Sequence, residues 1–148
     1  MRIALPALAL LALTFVPHES AGAQNTQGVL GPGLYVFQTR LDEATCEADS
    51  NSGFVTSYFA AIDGVPGSTT MTMKLQNSQF WPEWQLNIAS DGTIRATARN
   101  GALEQSATMR PNGSRFTGRG FRTYDQTVRG QRRRCRMEYD ALLRKLHE

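Results

Sequence analysis

The chain has 148 residues, with 16 Lys and Arg against 13 Asp and Glu, two Cys, two His and a hydrophobic content of 41%. These values are typical of one ordinary globular domain and leave too little chain for two. Composition alone excludes no broad class of binding protein. The positions of the two histidines, however, do not favour histidine-dependent catalysis. His18 falls in a segment that we predict below to be a signal peptide, and His147 lies beside the last residue. Neither is therefore placed for a Ser-His-Asp or Cys-His arrangement.

The first 23 residues have the pattern of a secretory signal peptide. Arg2 precedes an apolar run over residues 3–16, and the small residues Ala21-Gly22-Ala23 follow, which predicts cleavage before Gln24. A membrane anchor is the alternative, but about 14 apolar residues are too few for a bilayer, which needs roughly 20. We therefore expect a periplasmic or secreted protein without a transmembrane segment.

The remainder divides into a flexible lead-in over residues 24–33 and a single β-rich domain over residues 34–148. Alternation of apolar and polar residues predicts seven or eight short strands. These are residues 34–39, 53–62, 69–75, 84–89, 94–98, 105–109, 115–121 and 132–139. Asp91-Gly92 and Asn112-Gly113 lie between alternating runs, where glycine accepts a positive φ, and each predicts a hairpin turn.

The end of the chain predicts a short helix over residues 140–147. Asp140 would cap it, and basic residues near its end would suit the helix dipole. The fold class is therefore mainly β, an antiparallel meander that curls into a barrel or sandwich and carries one short C-terminal helix. An open twisted sheet with the helix packed across one face is the alternative.

Cys46 and Cys135 are predicted to form one disulfide, because an even pair of cysteines in an oxidising compartment normally does. Two free thiols or a metal site are the alternatives. Two cysteines and one terminal histidine do not make a tetrahedral zinc set, so we expect no metal and no cofactor.

Charge is distributed unevenly along the mature chain. Residues 24–93 contain 2 basic and 7 acidic residues, whereas residues 94–148 contain 13 basic and 5 acidic residues, and 12 of those 13 are arginine. The planar guanidinium binds carboxylate and phosphate in a bidentate manner. The candidate anion-binding residues on predicted outward faces are Arg115, Arg119, Arg132, Arg134 and Arg136. The alternative is internal neutralisation, with Glu47 and Asp49 held near the arginines by the disulfide.

Both tryptophans fall within residues 80–84. If exposed, Trp81 would be a stacking platform for a sugar ring or an anchor for a protein; if buried, it is ordinary core. Trp84 is expected in the core beside Leu86 and Ile88.

These features predict a non-enzymatic binding protein that engages an anionic envelope component or protein through its arginine face, and no nucleic acid. One alternative is a small-ligand carrier with an apolar barrel interior near Trp81 and Trp84. Another is an inhibitor of a secreted hydrolase that acts through an exposed loop such as residues 64–68. A carboxylate-based hydrolase is the enzymatic alternative, because paired carboxylates hydrolyse glycosides without histidine, but no spacing singles out a pair.

Overall fold

The computed structural model describes residues 29–46 and 53–146, and every helix or strand in those two ranges is a β-strand. In chain order the strands are β1 (Gly33–Ala44), β2 (Val55–Asp63), β3 (Thr70–Leu75), β4 (Glu83–Ile88), β5 (Ile94–Asn100), β6 (Leu103–Asn112), β7 (Arg115–Val128) and β8 (Gln131–Lys145). The prediction of a mainly β chain is confirmed. The predicted signal peptide lies outside the described residues.

Pairing between the first and last strands closes the sheet. Each strand pairs antiparallel with the next one along the chain, and β8 pairs with β1, from Lys145 opposite Tyr35 to Met137 opposite Ala44. The result is a closed eight-stranded barrel with meander topology. The predicted barrel is confirmed, and the alternative of an open twisted sheet is wrong.

Side chains fill most of the barrel interior. Successive residues of a strand point to opposite faces of the sheet, so every second residue faces inward. The largest fully buried side chains are Trp84, Tyr139, Phe37, Met73, Leu86, Ile94, Met109, Leu143 and Cys135. The rings of Phe37 and Trp84 pack edge to face with centroids 5.4 Å apart. A barrel of eight strands is just wide enough for such a packing.

The two ends of the barrel are covered by different segments. At the end where β1 begins, here called the base, Leu30 is buried and joins the core. At the end where β1 finishes, here called the mouth, Trp81 is buried, and its carbonyl oxygen accepts a 3.2 Å hydrogen bond from the indole N–H of Trp84. Leu30 belongs to the segment predicted as a flexible lead-in, of which residues 24–28 lie outside the described ranges.

The predicted C-terminal helix over residues 140–147 is wrong, because residues 140–145 are the last six residues of β8, and residue 147 lies outside the described residues. Leu143 is fully buried and lies opposite Phe37 of β1 and opposite Phe116 of β7. A helix of about two turns is marginal by itself. The strand instead gains hydrogen bonds on both sides and buries its apolar residues, so long-range pairing overrides the local helix signal.

Cys46 and Cys135 form a disulfide with their Cα atoms 5.6 Å apart, which confirms the predicted pairing. Cys135 is buried in β8, whereas Cys46 follows the end of β1. The disulfide therefore joins the segment after β1, at the mouth, to the part of β8 that lies near the mouth.

A glycine in β7 permits the close packing of the strands on either side of it. A Cβ atom at Gly120 would lie 2.4 Å from the carbonyl oxygen of Ser106 in β6 and 2.6 Å from the ring of Tyr139 in β8. Both distances are well inside van der Waals contact. The Tyr139 ring thus occupies space that any side chain at this position would need.

We expect Gly120→Ala to lower the free energy of unfolding by about 1–3 kcal/mol, because overpacking forces backbone or ring shifts. Urea denaturation measures this change. Gly31→Ala is the matched control, since its Cβ would meet nothing within 4 Å. Equal stability of the two variants would contradict the packing argument.

Replacing Cys46 and Cys135 together by Ala should lower the free energy of unfolding by roughly 4–5 kcal/mol, the chain-entropy value for a loop of this length. Thermal and urea unfolding of the oxidised protein, the reduced protein and the double variant measure the difference. The reduced protein should behave like the variant. An oxidised protein no more stable than the variant would show that the bridge contributes nothing.

Candidate functional site

The two longest strands continue past the barrel wall as a hairpin. β7 has 14 residues and β8 has 15, whereas β3 and β4 have 6 each. Pairing of β6 with β7 ends at Arg122 and pairing of β1 with β8 ends at Met137, yet β7 and β8 stay paired as far as Val128 opposite Gln131. We call residues 123–136 the arginine arm.

The arm is fastened where it leaves the mouth. The backbone N–H of Thr45 donates a 2.9 Å hydrogen bond to the carbonyl oxygen of Arg136, and the N–H of Arg136 donates a 3.0 Å bond to the Thr45 hydroxyl. The disulfide from Cys46 to Cys135 lies beside these two bonds. The arm is therefore held in place where it leaves the mouth, while no other strand of the described ranges pairs with its tip.

The arm is strongly basic. Its five arginines are all exposed, and its one acidic residue is Asp125, which gives the arm a formal net charge of +4. The arginines are Arg129, Arg132, Arg133, Arg134 and Arg136. Alternate residues on one face of a strand lie about 7 Å apart, so the outward face presents a row of guanidinium groups.

Two of these arginines share one carboxylate. Arg132 Nη2 lies 2.7 Å from Asp125 Oδ2, and Arg134 Nε lies 2.6 Å from Asp125 Oδ1. The hydrogen bond from Arg134, followed by that from Arg132, holds the pKa of Asp125 below its ordinary value. Asp125 therefore neutralises one of two positive charges, and Arg132 and Arg134 together keep a net charge of +1 after this pairing.

Arg136 completes the row in a different way. Its guanidinium carbon lies 3.6 Å from the centroid of the Phe121 ring, a cation–π contact, and its Nε lies 3.3 Å from Glu138 Oε1. This contact orients the guanidinium, and Glu138 offsets its charge.

Arg119 and Arg115 lie apart from the arm. Arg119 forms an ion pair with Asp42, and its Nε lies 3.8 Å from Asp140 Oδ1. Arg115 lies opposite Arg144 near the base and has no ion pair within the described ranges. The structure therefore places the three predicted arginines of β8 in one row and leaves the two of β7 elsewhere on the barrel wall.

Internal neutralisation occurs among the described residues, where Asp125, Glu138 and Asp140 pair with predicted arginines. Glu47 and Asp49, which the sequence suggested as partners of the arginines, lie outside the described residues, so that part of the hypothesis stays a prediction.

Trp81 is buried, with 5% of its surface exposed, so the core alternative describes it. Phe80 beside it is 48% exposed and packs edge to face against the Trp81 ring at 4.9 Å between centroids. Trp81 offers no open ring face for stacking. At this surface, Phe80 is the aromatic side chain that is exposed to a partner.

A cavity of about 170 Å³ lies inside the mouth between β1, β2, β6, β7 and β8. Arg122 reaches it from β7, and Gln105 and Tyr139 line it as buried polar residues. The sequence alone did not single out these three. An even number of positions separates Arg122 from Phe116 in β7 and Gln105 from Met109 in β6, so each pair shares the inward face.

Comparisons with family models, with curated proteins and with solved structures give no match to this chain. Of the residues that the structure describes, none belongs to a helix long and apolar enough to cross a membrane. The arm and the cavity at the mouth are therefore the two features of the described residues that bear on function.

We expect a lowered pKa for Asp125, and Arg134→Gln should raise it more than Arg132→Gln because the Arg134 hydrogen bond is the larger cause. Since this pKa is lower in the folded than in the unfolded chain, ionised Asp125 stabilises the fold above the ordinary aspartate pKa. That contribution is lost as the pH falls through the folded value. NMR titration of the carboxyl carbon measures all three values, and an ordinary pKa in the wild type would contradict the ion-pair geometry.

Proposed function

We propose that this protein is a non-enzymatic binding protein, exported after loss of residues 1–23, whose arginine arm binds an acidic polysaccharide. The observation that carries the proposal is the excess of five arginines over one aspartate on an exposed hairpin. Such an excess favours an external anion, because like charges held close together gain most from a partner of opposite sign.

Carboxylate is the group that the arm already binds. Arg132 and Arg134 each approach a different oxygen of Asp125, at 2.7 and 2.6 Å, which is the contact that arginine makes with carboxylates generally. Arg129 and Arg133 have no carboxylate partner among the described residues and remain available for another chain. A polymer with a carboxylate on many of its sugar units would meet several of these guanidinium groups at once, and the simultaneous contacts would raise its avidity.

The distribution of apolar residues favours a polysaccharide over a lipid surface. Proteins that lie on a membrane combine basic residues with large apolar ones that enter the lipid boundary. The exposed large apolar side chains of the described ranges are Val29, Leu34, Phe54, Val55, Phe59, Val65 and Phe80. All of them lie outside the arm, whose surface is polar and cationic.

The disulfide also supports the proposal. A disulfide between Cys46 and Cys135 suits an oxidising compartment outside the cytoplasm, where acidic envelope polymers occur. The carrier hypothesis has less support, because Trp84 is fully buried and Trp81 nearly so, which leaves no space beside them for a large apolar ligand.

The test measures binding of polygalacturonate by isothermal titration calorimetry at two salt concentrations. We expect binding that weakens steeply between about 0.01 M and 0.15 M salt, as the Debye length falls from about 30 to about 8 Å. Arg129→Gln with Arg133→Gln should weaken binding at low salt by about tenfold, and Asp125→Asn should strengthen it, because Arg132 and Arg134 lose their internal partner.

Arg95→Gln with Arg99→Gln is the matched control, since it removes the same charge from exposed positions of β5. It should change the affinity less than twofold. Equal weakening by both double variants would reduce the effect to net charge and contradict a role for the arm. Binding to vesicles of anionic phospholipid without binding to polygalacturonate would show that the partner class is wrong.

A further inference from the structure

The cavity inside the mouth joins an apolar wall to a cationic one. Leu41 of β1 and Met137 of β8 form apolar sides, and Phe54, 66% exposed, stands at the rim. Thr39 and Thr56 face each other across β1 and β2 and add hydroxyl groups. The surface is therefore amphipathic within a space of about 170 Å³.

Arg122 supplies the positive charge. It lies on the inward face of β7, is partly buried, and donates from Nε to Met137 Sδ at 3.0 Å. A thioether is a weak acceptor, and a guanidinium has five N–H donors. The other four donors of Arg122 have no partner among the residues that the structure describes. None of its nitrogen atoms is both buried and unpaired, so these donors stay accessible to an acceptor that enters the cavity.

The polar groups next to Arg122 that the structure describes bring it no negative charge. Tyr139 donates its hydroxyl to the carbonyl oxygen of Ser106 at 3.0 Å and accepts a 3.1 Å bond from Gln105 Nε2. Burial raises the pKa of Tyr139, so the phenol stays protonated. Gln105 and Tyr139 are thus bonded to each other and to the backbone, and the one charged group of the described cavity lining is the guanidinium of Arg122.

We propose that the mouth cavity binds a small organic monocarboxylate, whose carboxylate group pairs with Arg122 while its apolar part contacts Leu41 and Met137. Arginine binds carboxylates through two parallel hydrogen bonds, and free donors at Arg122 permit this. The volume is below the roughly 300–1,000 Å³ of sites for drug-sized ligands. The ligand is therefore a short-chain or single-ring acid.

This site is separate from the arginine arm. Arg122 faces the interior of the barrel, whereas Arg132 and Arg134 lie on the outward face of β8. Each site can therefore fail its test without affecting the outcome for the other. Arg129→Gln with Arg133→Gln, which tests the arm, should leave the affinity of the cavity unchanged.

The experiment titrates benzoate and hexanoate into the protein by isothermal titration calorimetry, with benzamide and hexanamide as neutral ligands of similar shape. We expect the acids to bind at least about tenfold more tightly than the amides. Arg122→Gln should abolish that preference, and Arg122→Lys should keep part of it because the charge remains without the planar fork. Arg115→Gln, which removes an outward arginine of the same strand, should leave it intact.

Thermal unfolding of each variant checks that the barrel is folded. If Arg122→Gln does not fold, the affinity of Arg122→Lys for acids relative to amides tests the role of Arg122. Equal affinity for acids and amides, or unchanged acid affinity in the folded Arg122 variants, would overturn the proposal. Inorganic phosphate is the probe for charge alone. If it competes with benzoate at equal concentration, the apolar wall plays no part and the ligand class is wrong.

Discussion

The hydrogen bonds between β1 and β8 are the constraint on which the rest of the structure depends. They join Tyr35 to Lys145, residues at opposite ends of the described chain, and so leave no free strand edge on the barrel wall. Once the wall is closed, alternation along each strand assigns every residue either to the interior or to solvent. The same closure places Arg122 inside the barrel and the row that begins at Arg132 outside it.

Local signals in the sequence predicted most of the barrel strands. They did not predict the last part of β8 or the arrangement of the arm at the mouth. Apolar alternation located the strands, and Asp-Gly located a turn in which Gly92 has a φ of 78°. The segment after Asp140 looked helical because its cap and charges are local, whereas the partners that make it a strand lie far away in sequence, as with Leu143 and Phe37. The disulfide was predictable from the number of cysteines, and the geometry that connects it to the arm was not.

The candidate sites show the same division between local and long-range information. The row of arginines in β8 follows from alternation alone. Arg119 lies apart from this row because the register of β7 and β8 places it opposite Asp140, and it pairs with Asp42 of β1 only because barrel closure brings β1 near β7. The cavity depends on side chains from five strands, of which Arg122 is one among twelve arginines in the basic half of the chain. Its spacing from Phe116 indicates the inward face, but only the closed barrel shows that a cavity lies there.

The unequal strand lengths make the rim of the barrel oblique. It is tall where β7 and β8 rise as the arm and low at β3 and β4, which have 6 residues each. The arm turns the face of Arg132, Arg134 and Arg136 away from the opening and the face of Arg133 and Cys135 toward it. An anion that enters the mouth cavity as proposed would therefore pass Arg133 before it meets Arg122, and the positive charge of the arm would favour its approach over that of a cation.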